Sequence, residues 1–489
     1  MRYACGCSGW QSTDLFGPVE VDLNLKTVLI FAHECAPYNR VESTMGAQRP
    51  AQFARYLPEF GWRAIVICCD SRRRRSVTRA DLGQIADLAQ QLVKESDPGE
   101  SVVIPIPSLV WDGLLDRCWH RSLKGSSPRV VRKALTAAKF LTGDYSQSWQ
   151  PCARAVARAI AQKVPIDLCI GEHGPDAGLF LARWFSREFG VKWIADFRDP
   201  ILQPLGKFAR KLYSPVVKRL LATASSTINV NPDWSEQDQA LFGVLSRSIP
   251  NGFDPEEFEG AVSRDSHKFT IAYVGSITIS QQLEVFFEGL AQLRSMIGQR
   301  AAENVRFLYA GSATKKVSDL ASRYRLLDIV EAQERVERGV AISLMESADA
   351  LLLLSIGAPA SKDIYFRSGY YPGKTFEYFG ARRPILCVPG DKGQLENLIR
   401  DTGTGVVLRT AADVAAHLAR AVDKWKCGRP LDYRPNEESV ERFTRRNLTQ
   451  KLAEHLEEVV GLAPGKRAAS EDLVAAGSLS IQGVRRTAL

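Results

Sequence analysis

Apolar and polar positions along this chain alternate between two patterns, short apolar runs and stretches with helical spacing. Thr27–Ala32 and Arg63–Cys69 are apolar runs of strand length, and Met45–Phe60 between them has the spacing of a helix. A strand, a helix and a second strand in this order indicate a β-α-β unit with parallel strands. The same pattern continues with predicted strands Ile166–Gly171, Lys192–Asp196, Ser226–Val230 and Ser248–Pro250 and helices Ala153–Gln162, Ala177–Phe189 and Phe208–Thr223.

A second series of strands and helices begins after a charged stretch near residue 256. Its predicted strands are Phe269–Gly275, Val305–Gly311, Ile329–Gln333, Ala350–Ser355, Pro384–Val388 and Gly405–Leu408, and its predicted helices include Leu283–Met296, Val340–Ser347 and Lys374–Ala381. The pattern predicts an irregular N-terminus, a first Rossmann-like domain, a linker, a second Rossmann-like domain, a long amphipathic helix and a disordered tail. These segments are 1–24, 25–255, 256–267, 268–435, 436–460 and 461–489.

This organisation predicts an α/β protein in which two doubly wound parallel sheets face a cleft. In open sheets of this kind, ligands bind outside the carboxyl ends of the strands. A cleft between two such domains is therefore the expected binding site.

The composition limits the partners and the kinds of site that this chain can have. The chain has 489 residues, of which 45% are hydrophobic and 24% charged, and it carries a formal net charge of +9. That charge suits anionic partners such as nucleotide sugars or acidic lipid surfaces. No helix-turn-helix or RNA-binding aromatic motif accompanies the basic residues, so we expect no nucleic-acid partner. The ten cysteines include no CxxC pair, which indicates reduced thiols and argues against a disulfide framework or a zinc site.

The location of the protein follows from its apolar runs. No run approaches the length needed to span a bilayer, and the first residues lack the apolar core of a signal peptide. We therefore expect a cytoplasmic protein. Residues 100–150 and the helix at 208–223 are basic, so an anionic membrane surface is a candidate partner, and two solvated basic helices are the alternative.

The most informative segment is YYPGKTFEYFGARRPILC at 370–387. Pro372 and Gly373 stand where a helix begins, so their backbone N–H groups are free to face a ligand. With Lys374 and Thr375 beside it, this helix start is a candidate anion site. Glu377, one turn further on, can accept hydrogen bonds from a sugar diol. Together these groups suit a nucleotide diphosphate with its ribose.

A resemblance to a Walker A loop in this segment is misleading. In GYYPGKT, Gly369 is one residue too close to Gly373 for the GxxxxGK[ST] spacing, and the preceding strand lies far upstream. We therefore do not expect a P-loop nucleotidase.

Other strand ends supply further candidate ligand groups. In the second series, Gly275 permits close approach of a phosphate to the backbone and Ser276 adds a hydroxyl. The segment that ends in Arg335 and Val336 is expected to bind the base, mainly through backbone groups. The sequence offers no metal-ligand spacing such as DxD at a strand end, so we expect no required metal or cofactor.

In the first series, His173 ends a strand and is a candidate cleft residue. Arg198 and Asp199 follow the next strand, and they either form a local ion pair and turn or line the acceptor side of the cleft. Gly46 and Arg49 lie where the first loop becomes a helix.

At this point a family resemblance is visible. The chain resembles glycosyltransferases of family 4, which have the GT-B fold. The residues that carry the resemblance span roughly 27–460 and are STMGAQRPAQFARYL (43–57), EHGPDAG (172–178), WIADFRDP (193–200), SIPNGFDPEEF (248–258), IAYVGSI (271–277), SADALLLL (347–354) and YPGKTFEYFGARRPIL (371–386).

The resemblance implies a retaining hexosyl- or glycosyltransferase that binds a nucleotide-sugar donor in its second domain and an acceptor in its first. Glu377 matches the second glutamate of the family's E-x7-E motif, which holds the donor ribose, whereas Gly369 replaces the first. His173 is similar in position to the family's cleft histidine. Arg367, Tyr370 and Tyr371 join the donor-side candidates. The helix at 436–460 resembles the one that crosses back to the first domain.

Three functions are compatible with these residues. The leading hypothesis is a glycosyltransferase that builds a surface polysaccharide or a lipid-linked glycan. A nucleotide-sugar 2-epimerase shares the architecture and needs no acceptor. A catalytically weakened GT-B scaffold, suggested by Gly369 and by the lack of a basic residue after the turn at Gly275, would bind nucleotide without turnover.

Overall fold

The structure is a computed structural model. It describes residues 25–38, 45–70, 76–109, 148–202, 207–260, 267–278, 281–356 and 370–461. The predicted irregular N-terminus, most of the basic segment 100–150, and the predicted tail beyond Gly461 lie outside these residues.

A seven-stranded parallel sheet forms the first domain, with strand order β4-β2-β1-β6-β7-β8-β9. A short parallel pair, β3 with β5, lies beside it. The strands are β1 (Lys26–Phe31), β2 (Trp62–Cys69), β3 (Ser76–Val77), β4 (Val102–Ile106), β5 (Ser108–Leu109), β6 (Leu168–His173), β7 (Lys192–Phe197), β8 (Ser226–Asn229) and β9 (Ser246–Ser248).

Helices cover both faces of this sheet. They are α1 (Met45–Tyr56), α2 (Leu82–Glu95), α3 (Trp149–Ala161), α4 (Ala177–Phe189), α5 (Lys207–Leu221) and α6 (Pro232–Phe242). Alternate residues of β1 point to opposite faces, so Leu29 and Phe31 pack on the side of α3 and α4, and Val28 and Ile30 pack on the side of α1. The strands are buried on both faces, which explains why their sequences are continuous apolar runs.

The second domain has a six-stranded parallel sheet in the order β12-β11-β10-β13-β14-β15. Its strands are β10 (Phe269–Val274), β11 (Val305–Ala310), β12 (Val330–Gln333), β13 (Ala350–Leu354), β14 (Ile385–Val388) and β15 (Gly405–Val407). Its helices are α7 (Leu283–Ile297), α8 (Gln299–Ala302), α9 (Thr314–Arg323), α10 (Arg338–Ser347), α11 (Lys374–Ala381), α12 (Gln394–Thr402) and α13 (Ala411–Lys426). The predicted class, two parallel α/β domains, is confirmed.

The C-terminal part of the chain returns to the first domain as two helices, α14 (Glu437–Glu441) and α15 (Arg445–Gly461), where the sequence predicts one. The break has a tertiary cause. Phe253, which follows the first sheet, donates its N–H to the Phe443 carbonyl at 3.1 Å and accepts the Arg445 N–H at 2.8 Å, so these groups leave the helical pattern.

Beyond the break, α15 packs on the first sheet. Leu448, Leu452 and Leu456 join the core formed by Val28 and Ile30. The predicted crossing of a C-terminal helix back to the first domain is thereby confirmed. Because this helix connects the two domains, their relative position depends on its packing.

Candidate functional site

The carboxyl ends of the two sheets bring the predicted residues of both domains to one region. Gly275 and Ser276 follow β10, and Lys374 begins α11 in the second domain. His173 ends β6 and Arg198 follows β7 in the first.

The start of α11 has the form expected of an anion site. Gly373 occupies the cap position with no side-chain hydrogen bond, and the Thr375 N–H donates to the Pro372 carbonyl at 2.9 Å. Thr375 and Pro372 are buried, whereas Gly373 and Lys374 are half-buried. The helix start therefore presents its partial positive charge with one lysine beside it.

Lys374 reaches back to the turn after β10. Its Nζ donates to the Tyr273 hydroxyl and, at 3.2 Å, to the Ser276 carbonyl, and it lies 3.7 Å from the centroid of the Tyr273 ring. Burial lowers the pKa of Lys374 to about 7, although the Glu377 carboxylate acts in the opposite direction. A lysine with this pKa is only partly protonated near neutral pH, and a bound anion favours its protonated, positively charged form.

The turn after β10 is open to a ligand because it lacks side-chain bulk. Gly275 has a φ of +120°, a region that favours glycine, and a Cβ there would lie 3.4 Å from the Lys374 Nζ. Next to it, the Ser276 hydroxyl accepts a hydrogen bond from Ser312 at 3.2 Å. The phenol of Tyr309 donates to the Gly275 carbonyl at 3.1 Å and fixes the turn.

A pocket of about 80 Å³ lies between this turn and α10. Four of its lining residues are predicted donor-site residues, and they are Gly275, Arg335, Val336 and Glu377. The structure therefore brings together residues that are spread over about a hundred positions of the sequence. Arg338, at the start of α10, also lines the pocket and was not predicted.

Arg338 is held between two carboxylates. It donates to Glu377 at 2.9 Å and to Glu257 at 2.9 Å and 2.5 Å. Burial lowers the pKa of Arg338, but the two carboxylates outweigh it and raise the pKa above its usual range. Glu377 is thus fixed in the pocket by a charge-assisted hydrogen bond.

Two tyrosines before α11 link it to the first domain, Tyr370 directly and Tyr371 through Gln394. The Tyr370 hydroxyl donates to Asp199 at 3.4 Å, and its ring lies 5.6 Å from the Trp234 ring. The Tyr371 hydroxyl donates to Gln394 at 3.0 Å, and Gln394 in turn donates to Asp233 of the first domain. These contacts join the segment before α11 to the first domain.

On the first-domain side, His173 is oriented by a buried acid. Its Nδ1 lies 2.5 Å from Asp176 Oδ1, and the other oxygen of Asp176 accepts the Tyr213 hydroxyl at 2.8 Å. The edge of the His173 ring packs on Phe197. A carboxylate that fixes one ring nitrogen leaves the imidazole in a defined orientation. Neither Asp176 nor Tyr213 was predicted, although Asp176 belongs to the quoted motif EHGPDAG.

Arg198 lies across the floor of the cleft. It donates to the His173 and Gly174 carbonyls and pairs with Glu34 and Glu172, each at 3.4 Å. Burial raises the pKa of Glu172 to about 8, and Arg198 only partly opposes this shift. A Cβ on Gly46 would overlap the Arg198 guanidinium, so the glycine makes room for it.

The remaining acceptor-side predictions separate into two roles. Arg49 is only 2% exposed. Its guanidinium donates hydrogen bonds to the Asp196 carboxylate at 2.8 Å and 3.0 Å and to the Ile249 and Pro250 carbonyls. It therefore acts in the interior and offers no surface to an acceptor. Asp199 lies at the cleft and contacts Tyr370. Of the donor-side residues, Arg367 lies outside the described residues, as does Gly369.

No group of three or more His, Cys, Asp or Glu in the described part of the chain could hold a metal ion. Seven cysteines in this part are free thiols. Among the described helices, none is both long and apolar enough to cross a bilayer.

Comparison with solved structures identifies the fold. The chain is similar to sucrose-phosphate synthase from Thermosynechococcus elongatus (TM-score 0.55, 12% identity, 89% of this chain and 99% of that chain). It is similar to HepE from Anabaena in complex with UDP and glucose (TM-score 0.54, 14%, 88% and 100%). It is also similar to α,α-trehalose 6-phosphate synthase from Burkholderia multivorans (TM-score 0.57, 12%, 95% and 100%).

These likenesses cover nearly the whole of each chain, and together with the two parallel sheets they show the GT-B fold. No protein-family model matches the sequence, and no curated protein matches it. At identities of 12–14% the likeness carries the fold and not the reaction.

Proposed function

We propose that this protein is a glycosyltransferase that moves a sugar from a nucleotide-diphosphate sugar to an acceptor. The observation that carries the proposal is the pocket formed by Gly275, Arg335, Val336 and Glu377, which lies beside Lys374 at the start of α11. A cation, free helix amides and a fixed carboxylate meet there in the order that a diphosphate and its ribose require.

The residues present give a physical account of the reaction. As the bond between the anomeric carbon and the diphosphate breaks, negative charge develops on the leaving group. Lys374 and the N–H groups at the start of α11 stabilise this charge, each charge-assisted hydrogen bond contributing about 1.5–3 kcal/mol. We propose that the reaction requires no metal and no cofactor, because these groups supply the positive charge.

His173, Arg198 and Asp199 are proposed to face the acceptor and the transferred sugar. In a retaining reaction of the family-4 type, the acceptor attacks from the leaving-group face, so no protein nucleophile is needed. The resemblance to that family supports retention and a role in surface polysaccharide or lipid-linked glycan synthesis. The basic helix α5 supports peripheral attachment to an anionic membrane on the cytoplasmic side.

The structures of HepE with UDP and with UDP-glucose support a nucleotide-sugar donor, since that protein has the same fold. Among the alternatives, a 2-epimerase would release nucleotide without an acceptor. Nucleotide release that depends on an acceptor therefore separates transfer from epimerisation, and nucleotide binding without any turnover would indicate the weakened scaffold.

The first test is a thermal-shift screen against UDP, GDP, TDP, ADP and CMP. We expect one nucleoside diphosphate to raise the melting temperature and Glu377→Ala to abolish the rise. Glu288→Ala, which removes an exposed glutamate from α7, is the matched control and should keep the full shift. If no nucleotide shifts the wild-type protein, the donor-site assignment is wrong.

A further inference from the structure

A group of arginines on the outer surface of the first domain, away from the cleft, has no role in the proposed reaction. Arg154 on α3 and Arg183 and Arg187 on α4 line an open pocket of about 480 Å³. Phe180 and Trp184 form its apolar wall, and Glu188 is its acidic member. We call this site the arginine pocket.

One guanidinium group of the arginine pocket, that of Arg154, is stacked on an aromatic ring. Arg154 lies 5.2 Å from the Trp184 ring centroid, and the neighbouring Arg158 lies 5.0 Å from it. Arg158 also forms two hydrogen bonds with Glu188, at 2.5 Å and 2.9 Å, which occupy that carboxylate. The stacking restricts Arg154 before any ligand binds and so lowers the entropy cost of binding.

Positive charge in the pocket is not neutralised by the protein. Three arginines and one glutamate line the pocket, that glutamate is already paired with Arg158, and Arg219 on α5 adds a further positive charge near Arg183. The pKa of Arg183 is lowered by burial and by the repulsion of Arg187 and Arg219. Such mutual repulsion costs free energy unless an anion fills the site.

Two arginines of the pocket also have hydrogen-bond donors without an acceptor in the described part of the chain. Within the described part of the chain, Nε of Arg154 and Nε of Arg183 are buried and have no hydrogen-bond partner. Buried donors are normally paired, so these two nitrogens are exceptions. Because they are closed to solvent, a ligand in the pocket would meet the terminal nitrogens of the guanidinium groups instead. Guanidinium groups match the oxygens of a phosphate in a two-pronged geometry.

We propose that the arginine pocket is a second anion site, which binds a phosphate-bearing ligand independently of the nucleotide-sugar cleft. The ligand is either the headgroup of an anionic phospholipid or a soluble phosphate compound, since both present the same chemistry to the arginines. The open shape of the pocket admits either of them.

The test uses Arg183→Gln with Arg187→Gln, and as a matched control Arg300→Gln with Arg323→Gln. Both pairs remove two positive charges from helices, and Arg323, like Arg154 of the pocket, lies over an aromatic ring. All proteins also carry Lys374→Ala, so that the cleft does not contribute to anion binding. Thermal unfolding checks that each variant is folded.

One arm titrates inorganic pyrophosphate by calorimetry, and the other measures sedimentation with vesicles of phosphatidylcholine containing phosphatidylglycerol. We expect the pocket variant to bind about tenfold more weakly in at least one arm, and the control to change less than about twofold. Pyrophosphate binding identifies a soluble ligand, and vesicle binding alone identifies a lipid headgroup.

The proposal is wrong if neither probe binds, or if the control weakens binding as much as the pocket variant does. Failure of the arginine-pocket proposal can be distinguished from failure of the proposed glycosyltransferase function. In proteins that retain Lys374, the pocket variant should bind nucleoside diphosphate as tightly as the wild type does.

Discussion

The lowered pKa of Lys374 predicts that nucleotide binding takes up a proton. In the free protein, burial reduces this pKa to about 7, so the amine is largely neutral at pH 8. A diphosphate beside it favours the ammonium form and raises its pKa on binding. Binding above pH 7 must therefore protonate Lys374, and that step opposes binding.

The size of the effect follows from the pKa. With a free-state pKa of about 7 and full protonation in the complex, the apparent dissociation constant should rise about tenfold between pH 6 and pH 8. This corresponds to about 1.4 kcal/mol. This change of affinity with pH has the opposite sign to the one expected from the nucleotide itself. The terminal phosphate of the nucleotide gains negative charge near pH 6, which favours binding as the pH rises.

Isothermal titration calorimetry with the nucleoside diphosphate found in the thermal-shift screen measures both the affinity and the proton uptake. Titrations at pH 8 in two buffers with different ionisation enthalpies should give nearly one proton bound per nucleotide. Lys374→Ala should weaken binding at pH 6 by about 1.5–3 kcal/mol and remove the proton uptake.

Lys374→Arg is the control, because an arginine stays charged throughout this pH range. It should bind nucleotide with no proton uptake and with little loss of affinity above pH 7. If the wild-type protein binds equally well at pH 6 and pH 8 with no proton uptake, or if the uptake persists in Lys374→Ala, then Lys374 is not the group that contacts the diphosphate.

Three further predictions concern the first domain. Arg49→Met leaves Asp196 buried without its partner and should lower the free energy of unfolding by about 3–5 kcal/mol in urea titrations. The pKa of Glu172 is higher in the folded protein, about 8, than its ordinary value of 4.5, so the folded state binds more protons between these values. Stability should therefore fall as pH rises from 5 to 8, and Glu172→Gln should reduce that fall by an amount on the order of a few kcal/mol. Asp176→Asn removes the anion that orients His173, and it should lower kcat at least about tenfold while nucleotide affinity stays the same.

Each of these predictions has a direct check. Arg158→Met breaks an exposed ion pair with Glu188 and should cost at most about 1 kcal/mol, so an equal effect of Arg49→Met would refute the argument from burial. An unchanged pH dependence in Glu172→Gln would show that Glu172 is ionised in the folded protein. A change in nucleotide affinity caused by Asp176→Asn would indicate a structural and not an orienting role.

The main features of the proposed donor side could be predicted because they are local in sequence. The helix start at Gly373, the lysine after it and Glu377 one turn on lie within five residues, and their spacing on a helix is fixed by the backbone. The glycine turn after β10 was likewise visible as an apolar strand that ends in a small residue. Such signals depend only on neighbours along the chain.

The partners that complete the site could not be predicted. Arg338 is 39 residues from Glu377, and Tyr213 is 37 residues from Asp176. Nothing in the local pattern distinguishes Arg338 from any other arginine at a helix start. The role of Arg49 was also hidden, because an arginine on an amphipathic helix is usually exposed, and only the fold places it against buried Asp196.

The sequence by itself determined the order of most strands and helices, though not β3, β4 and β5, together with the two-domain parallel architecture and the helix start at Gly373, because periodicity and local backbone chemistry report burial and helix ends. The tertiary structure decided which charges meet. It paired Glu377 with Arg338, broke the C-terminal helix at Phe443 through Phe253, and gathered the arginine pocket from two helices. The physical reason is that these pairings join distant segments, and their energies depend on distances and burial that exist only after folding.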